Sequence, residues 1–565
     1  MGFYKNCNEK INEKDCKSLT KDKYREMVEK HTSTKLGLVF PVISIEWKRV
    51  LLFSLIKFVA AVQFNTARVF KDRVVYILDN IGLIYFLNLL VFICNFFILK
   101  FYTWLVKKYG VNKATEKFLC YMALFFCFYN VLFYFSNFIS SGAFVKEMFN
   151  GNLKIIRNLN FIEIIALLVF NAVYVLFYLS TDIITHAIIS VILMAYFLQN
   201  MTSFQIKRYF RIIGAFNGIS YLFSSFLTSF YANLEINWFT KKSEKWLFMF
   251  FYFVNAFFSI VLVIVIKITG KQMKNYLYQG EQEELGITKN KPKSTLNFIE
   301  MLKLICFNDL LYSISVFSLL YNLFSSLFGT VDKFTYKAYI TYILQHPNQN
   351  PFQFGEATFS RLQAHFKKFE FYAQSIMLIL IMLSPVLTKL WQIFGFFAFG
   401  AIMLILYAFA AVTQCLVTIY NYPFTHNGKS SLFGLKFGNF SPNFYLEAFL
   451  ACINNFLIKL SKSGFFGIAK EVYFARIVPS DRVVFKSICD GVIPRLCKVI
   501  VSFYGIFVTQ VLGIVDVRKI YIITFTAMLL IIILAFKPLI FITRHLKRAE
   551  KNDEYLICTK NKKEF

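Results

Sequence analysis

Charged residues are scarce in this chain of 565 residues, where Asp, Glu, Lys and Arg together account for 17%. An average soluble protein has about 25%. Hydrophobic residues make up 57% of the chain and aromatic residues 19%. So little charge with so much apolar surface excludes a soluble globular protein, and it excludes an intrinsically disordered one as well. The composition is that of a protein embedded in a lipid bilayer.

Acidic residues are the scarcer part of the charged set, with 32 Asp and Glu against 62 Lys and Arg, which gives a formal net charge of +30. A balance this basic is compatible with nucleic-acid binding, whose affinity comes largely from phosphate neutralisation. The apolar content argues against that partner, because a soluble nucleic-acid binder has no use for so much apolar surface. We therefore expect no nucleic acid, and the positive charge needs another explanation.

Several motifs are missing, and each absence excludes a class of protein. The 11 cysteines include no C-x-x-C pair, so neither a disulfide framework nor a zinc site is expected. The six histidines include none in H-x-x-x-x-D, and no D-x-D occurs, which disfavours a multispanning transferase or acyltransferase. The first 31 residues contain no apolar run, so they do not form a signal peptide. No cofactor is expected.

Twelve mostly apolar runs, each about 20 residues long and able to cross a bilayer, follow one another along the chain. These predicted spans 1 to 12 are Leu51–Val69, Ile81–Leu105, Phe118–Phe138, Phe170–Leu198, Tyr209–Tyr231, Trp246–Ile268, Leu302–Val331, Phe371–Leu390, Ile393–Ile419, Phe444–Phe465, Ile488–Leu512 and Ile520–Phe541. They predict an all-α polytopic membrane protein with two halves of six transmembrane helices, an arrangement like that of major-facilitator transporters.

The polar segments between and around the spans predict the domain boundaries. A basic N-terminal tail occupies residues 1–48, the first half 49–268, a polar linker 269–301, the second half 302–541 and a C-terminal tail 542–565. Lys and Arg near span ends gather on the cytosolic side of a membrane. Their distribution places both tails and the linker in the cytosol.

A charged side chain at the centre of a bilayer costs about 2.5–3.5 kcal/mol, so each charge within a span needs a reason. Near the end of span 1, Asn65, Arg68 and Asp72 follow at i, i+3 and i+7, with Lys71 beside them. This spacing puts them on one stripe of a helix, which would present polar groups to a common cavity. The alternative is a helix-end salt bridge between Arg68 and Asp72.

Other charged residues in or beside the spans extend this pattern. They are Lys57, Asp182, Asp332, Lys333, Lys459, Lys462, Lys470, Glu471, Arg476, Lys486, Asp490, Arg495 and Lys498. A lone lysine at a helix end is also explained by snorkelling to the membrane interface. As a set, however, these charges favour cations balanced by a few acids. A cavity lined in this way suits a polyanion such as a phosphate ester or a nucleotide, because Arg and Lys are the usual phosphate ligands.

Stretches around these charges resemble the plastid/rickettsia/chlamydia-type ATP:ADP translocases, a nucleotide transporter family also found in microsporidian parasites. The segment VQFNTARVFKD, which carries Asn65, Arg68 and Lys71, resembles the family's F-N-Y-x-I-L-R-x-x-K-D. The segment KSGFFGIAKEVYF resembles K-Y-S-L-F-D-P-x-K-E-M-A-Y, with Lys470 and Glu471 at matching positions.

The resemblance continues through spans 4, 7 and 11. The segment VFKSICDGVIPRLCK resembles K-G-K-A-A-I-D-x-x-x-S-R-L-G-K and carries Asp490 and Arg495. In span 4, NAVYVLFYLSTDI has Asp182 where the family has Glu. In span 7, SLFGTVDK aligns Lys333 with the family's lysine but has Gly329 at its glutamate position. The matches keep the family's order over nearly the whole membrane domain.

The resemblance implies an antiporter that exchanges external ATP for internal ADP by alternating access, as a monomer in a lipid bilayer and without hydrolysing the nucleotide. The substrate-binding residues that it implies are Asn65, Arg68, Lys71, Asp182, Lys333, Lys470, Glu471, Asp490 and Arg495. A carrier of other nucleotides, NAD or phosphate is the alternative of the same class, and a polytopic transferase is the alternative of another class. The expected location is the plasma membrane of an intracellular parasite that takes ATP from its host, with the membrane of a relict mitochondrion as the alternative.

Overall fold

The computed structural model describes most of the chain, and the described part is almost entirely helical. It covers residues 19–77, 83–135, 161–238, 244–284, 303, 305–345, 358–383, 395–425, 443–477, 485–514 and 517–552. No β-strand occurs among these residues. The predicted all-α class is therefore confirmed.

The described residues contain twelve long helical segments, in the order of the twelve predicted spans. The first half comprises Trp47–Ile77, Leu83–Tyr109, Val111–Tyr134, Ala172–Asn200, Ser203–Trp238 and Glu244–Gln272. The second half comprises Asp309–Gln345, Thr358–Leu383, Phe396–Thr425, then Phe444–Leu460 continued by Ser461–Phe466 and Gly467–Ala475, then Ser487–Val492 continued by Ile493–Ile506 and Phe507–Val511, and Tyr521–Asn552. Ten of the segments are long and apolar enough to cross a membrane, which makes the protein a multi-pass membrane protein. Spans 3 and 8 are not among these ten, so the number twelve stays a prediction.

Several helices extend beyond the apolar runs that predicted them. Span 8 begins at Thr358 rather than at Phe371, and span 12 continues to Asn552 rather than ending at Phe541. Hydropathy marks only the part of a helix that is apolar all round. A helix also continues through charged residues when these face a polar cavity or lie beyond the membrane interface.

The two halves meet along two pairs of helices, span 2 with span 11 and span 5 with span 8. Glycine permits the close approach in both pairs. A Cβ atom added at Gly505 of span 11 would lie 2.2 Å from the ring of Tyr85 in span 2, and one at Gly214 of span 5 would lie 2.8 Å from the sulfur of Met382 in span 8. Small residues are the usual means by which helices pack closely in membranes.

The segment before span 1 packs on the protein from residue 19 onward. The helix Lys21–Thr32 buries Tyr24 and Val28 against Leu277 and Tyr278 at the start of the linker. The rings of Tyr24 and Tyr278 stack with their centroids 4.6 Å apart. In the sequence Tyr24 and Val28 stand among Lys and Glu residues. Only their i, i+4 spacing shows that they share one face of the helix.

A buried polar network, which we call the linker-end network, joins this segment to the first half and to the linker. It consists of Tyr24, Glu46, Arg49, Arg208 and Glu281. The Glu46 carboxylate accepts hydrogen bonds from the Tyr24 hydroxyl and, over 2.7 Å, from Arg208 of span 5. Arg49 of span 1 donates to Glu281 over 2.7 Å. Burial and the neighbouring Glu46 carboxylate raise the pKa of the Tyr24 hydroxyl well above its ordinary range.

Spans 4 and 10, the fourth helix of each half, both contain a π-helical segment. These segments are Ile188–Ile192 in span 4 and Ser461–Phe466 in span 10. Their equivalent positions agree with the parallel repeat of the two halves. Short π-helical segments occur frequently at functional sites, and both contribute side chains to the cavity described next.

Candidate functional site

A cavity of about 490 Å³ lies between the two halves. Its lining residues come from spans 1, 2, 4 and 5 of the first half and from spans 7, 8, 10 and 11 of the second. Both its volume and its place between two repeats are usual for a small-molecule site in a transporter.

Basic side chains outnumber acidic ones on the cavity wall. The nine basic residues are Lys57, Arg68, Lys71, Lys333, Lys367, Lys459, Lys462, Lys470 and Lys498, and the four acidic residues are Asp182, Asp332, Glu471 and Asp490. The wall therefore has a formal surplus of five positive charges. Among the described residues no group of His, Cys, Asp and Glu is arranged to hold a metal ion. The chemistry of the wall is that of an anion site.

The structure brings together the nine residues predicted from the sequence. Eight of them line the cavity, namely Asn65, Arg68, Lys71, Asp182, Lys333, Lys470, Glu471 and Asp490. Arg495 lies behind the wall, where it is 1% exposed and bound to Asp182. The predicted alternative pairing of Arg68 with Asp72 falls outside the described side chains. Among the described side chains Arg68 makes no ion pair.

The Asp182 cluster consists of Asp182 with Lys71, Arg495 and Lys498. The carboxylate of Asp182 accepts from Lys71 of span 1 through one oxygen and from Arg495 of span 11 through the other. Arg495 also donates to the backbone carbonyl oxygen of Asp182 over 2.7 Å. The ammonium of Lys498 lies 3.5 Å from the same carboxylate. One acid thus holds three cations drawn from both halves.

A second cluster, at the end of the cavity nearest the start of span 11, is electrically balanced. Lys470 lies 2.8 Å from Asp490, and the fully buried Lys486 lies 2.7 Å from Glu471 and 3.0 Å from Asp490. Spans 10 and 11 are consecutive antiparallel helices, so residues at the facing ends are close together. Two cations and two acids cancel here, and Lys470 already has a carboxylate partner.

A third cluster was not predicted, and we call it the Glu370 cluster: Glu370 with Lys367 and Lys459. The buried carboxylate of Glu370 in span 8 accepts from Lys367 over 2.7 Å and from Lys459 of span 10. It lies outside the predicted site because span 8 was predicted to begin at Phe371, which placed Lys367 and Glu370 outside the membrane. Their i, i+3 spacing immediately before an apolar run was the available signal.

Four polar atoms on the cavity wall have neither a hydrogen-bond partner nor an ion-pair partner within the described part of the chain. They are Asn65 Nδ2, Thr181 Oγ1, Asp332 Oδ1 and the hydroxyl oxygen of Tyr336. The second oxygen of Asp332 accepts from Asn455 over 2.6 Å, which fixes the orientation of that carboxylate. Buried polar groups are normally satisfied, so these atoms offer hydrogen bonds to a ligand or to water in the cavity.

Comparison with known proteins finds two relatives by sequence and a solved structure with a similar fold. No protein-family model matches the chain. It is 24% identical to ADP,ATP carrier protein 1 of Encephalitozoon cuniculi over 418 residues, which cover 74% of this chain and 71% of that protein. It is 25% identical to ADP,ATP carrier protein 3 of the same organism over 157 residues, 28% of this chain and 29% of that one. These matches confirm the resemblance predicted from the sequence.

A solved structure shows the same fold. The MFS (major facilitator superfamily) proton:xylose symporter XylE, bound to 6-bromo-6-deoxy-D-glucose, superposes with a TM-score of 0.50 at 10% identity. The superposition covers 87% of this chain and 96% of the symporter. It confirms the major-facilitator-like arrangement.

Proposed function

We propose that this chain, a relative of ADP,ATP carrier proteins with a major-facilitator fold, transports nucleotides and exchanges ATP for ADP. The observation that carries the proposal is the formal surplus of five positive charges on the wall of a cavity between two helical halves. Nucleoside di- and triphosphates are polyanions, and Lys and Arg are their usual protein ligands. A surplus of buried cations in a membrane protein is costly unless an anion compensates it.

Alternating access is the mechanism that suits this architecture. The halves contact each other through spans 2 with 11 and 5 with 8, and the cavity lies between them. Rocking of one half against the other would open the cavity to each side of the membrane in turn. ATP is more negatively charged than ADP, so concentration gradients and the membrane potential drive the exchange, and no hydrolysis is required.

The nine residues predicted from the sequence take two kinds of role in this proposal. Arg68, Lys71 and Lys333 contact the substrate phosphates, and Asn65 donates a hydrogen bond to the substrate. The remaining five, Asp182, Lys470, Glu471, Asp490 and Arg495, keep the cations of the wall in place and hold the two halves together. Arg495 is held behind the wall by Asp182, which supports its structural role, whereas Lys71 is bound to the same carboxylate but lines the cavity.

The exchange would serve import of ATP into a cell or organelle that lives at the expense of a host. We propose the plasma membrane of an intracellular parasite as the location and the membrane of a relict mitochondrion as the alternative. Other nucleotides, NAD or phosphate are the alternative substrates. The departures from the family pattern at Asp182 and Gly329 favour testing these as well.

The test is uptake of labelled ATP by proteoliposomes that contain the purified full chain. We expect ADP inside the vesicles to stimulate uptake strongly over empty vesicles, and unlabelled ATP and ADP outside to compete. Uptake that is indifferent to internal ADP would exclude exchange. Competition by GTP, NAD or phosphate as strong as that by ATP would assign the transporter to one of the alternative substrates.

A further inference from the structure

We propose that the Glu370 cluster and Arg68 form a separate phosphate subsite on the cavity wall, which binds the phosphate chain of the substrate. This inference rests on the proposed nucleotide transport and deepens it, since it assigns one part of the substrate to Lys367, Lys459 and Arg68. The sequence predicted Arg68 as a site residue but neither lysine of this cluster.

The geometry of the cluster leaves donors available on the cavity side. Both lysines line the cavity, whereas Glu370 does not line it and is 0% exposed. Each ammonium group uses one oxygen of the Glu370 carboxylate. An ammonium group carries three donors, so each lysine retains donors for a ligand. The carboxylate behind the wall acts as an anchor that fixes both cations beside the cavity.

The position of the acid distinguishes this subsite from the other two clusters, because Glu370 lies behind the wall whereas Asp182, Glu471 and Asp490 line the cavity. Arg68, which makes no ion pair among the described side chains, lines the same cavity as Lys367 and Lys459. Three cations thus line the cavity, while the carboxylate that holds two of them does not. The neighbouring Asp332 and Lys333 cancel each other formally. In the Asp182 cluster, by comparison, Arg495 is behind the wall and bound to both the carboxylate and the carbonyl oxygen of Asp182, and the charges around Lys470 and Asp490 cancel.

The position of Arg68 gives the subsite a role in coupling the two halves. Arg68 belongs to span 1 of the first half, whereas Lys367 and Lys459 belong to spans 8 and 10 of the second half. A phosphate chain bound by all three would bridge the halves with charge-assisted hydrogen bonds, which are stronger than bonds between neutral groups. Without such an anion, like charges from the two halves face the same cavity and repel each other.

The experiment measures binding of sodium tripolyphosphate to the purified full chain, through the concentration dependence of its thermal unfolding. The variants are Lys367→Gln, Lys459→Gln and Arg68→Gln. The matched control is Lys267→Gln, which removes the same charge from an exposed lysine outside the cavity, paired with Glu116 at 3.2 Å. We expect each of the three variants to bind tripolyphosphate about tenfold more weakly or worse, since each loses charge-assisted bonds. The control should bind like the unchanged protein.

A charge-preserving variant separates phosphate binding from folding. Lys459→Arg should retain tripolyphosphate binding. If one glutamine variant does not purify as a monodisperse protein, the other two test the subsite. The subsite is wrong if the unchanged protein does not bind tripolyphosphate, or if all purified variants bind it as well as Lys267→Gln does. A protein that binds tripolyphosphate through these residues, but does not exchange ATP for ADP in proteoliposomes, would retain the subsite and overturn the proposed function.

Discussion

Arg495 of the second half holds Asp182 of the first half by two kinds of bond. Its guanidinium donates to the carboxylate and, over 2.7 Å, to the backbone carbonyl oxygen of the same residue. The link therefore attaches Arg495 both to a side chain and to the helix of span 4 itself. Because this link joins the two halves beside the cavity, any rocking of the halves must strain or break it.

Replacement of Asp182 by Asn should impair both stability and transport. The change leaves Arg495 and Lys71 buried without their carboxylate, and breaking a buried ion pair in this way costs about 3–5 kcal/mol. We expect a lower unfolding temperature in detergent. We also expect at least about a tenfold loss of ATP/ADP exchange, which corresponds to about 1.4 kcal/mol, because Lys71 and Arg495 lose the carboxylate that positions them.

The control for this prediction is Asp182→Glu, which keeps the negative charge and restores the residue that the resembling family has at this position. It should recover most of the unfolding temperature. An Asp182→Asn protein that unfolds and exchanges nucleotides like the unchanged protein would show that the carboxylate is dispensable in this cluster.

Lys470 and Asp490 should behave as a pair in a double-mutant cycle. They lie 2.8 Å apart in a cluster whose charges cancel, so either single change, Lys470→Gln or Asp490→Asn, leaves an uncompensated buried charge. The double variant restores the balance. We expect each single variant to lose transport and the double variant to recover part of it, with a coupling free energy of about 0.5–3 kcal/mol.

The measurement is the rate of ATP/ADP exchange, normalised to the amount of protein in the vesicles. Additive losses in the double variant would contradict the pairing. They would also indicate that Lys470 contacts the substrate directly, as the sequence analysis predicted.

The sequence predicted the helical class, the order of the spans and a set of charges that do meet in one cavity. It did so because apolar length and buried charge are local properties of a sequence. It could not predict which charges pair, since Asp182 and Arg495 lie in different halves and meet only in the folded protein. It missed Glu370 because hydropathy cannot distinguish a charged residue in a connecting loop from one that faces a polar cavity. Tyr24 is buried because its helix packs against the start of the linker, and the sequence gives no sign of that contact.

Gly329 offers a test of the charge on the cavity wall. It lines the cavity, and a Cβ atom added there meets no other atom within 4 Å, so a longer side chain has room. Gly329→Glu adds a negative charge to a surface that we propose binds polyanions. We expect the KM for ATP to rise several-fold while the protein inserts and purifies normally.

The matched control is Gly329→Gln, which adds a side chain of nearly the same size without the charge. Its KM for ATP should stay close to that of the unchanged protein. If both variants raise KM equally, the effect is steric, and if neither does, this part of the wall does not approach the substrate.

Tyr24 gives the linker-end network a measurable dependence on pH. Its hydroxyl donates to the buried Glu46 carboxylate, and loss of such a bond leaves an acceptor less satisfied, at a cost of about 1–3 kcal/mol. Tyr24→Phe should therefore lower the free energy of unfolding by about that amount at neutral pH. Arg208 continues to pair with Glu46 in the variant, so the fold should persist.

The same stabilisation should disappear at alkaline pH. The pKa of Tyr24 in the folded protein lies well above its ordinary value, which is about 10 in an unfolded chain. Below that pH both states keep the proton, and the contribution of Tyr24 is complete. Above it the unfolded state loses the proton first, so the stability conferred by Tyr24 falls as the pH rises toward the folded-state pKa. The difference in unfolding temperature between the unchanged protein and Tyr24→Phe should thus be constant from pH 7 to about 9 and shrink above about 10. A difference that stayed constant, or grew, through the alkaline range would show that Tyr24 is not held neutral beside Glu46.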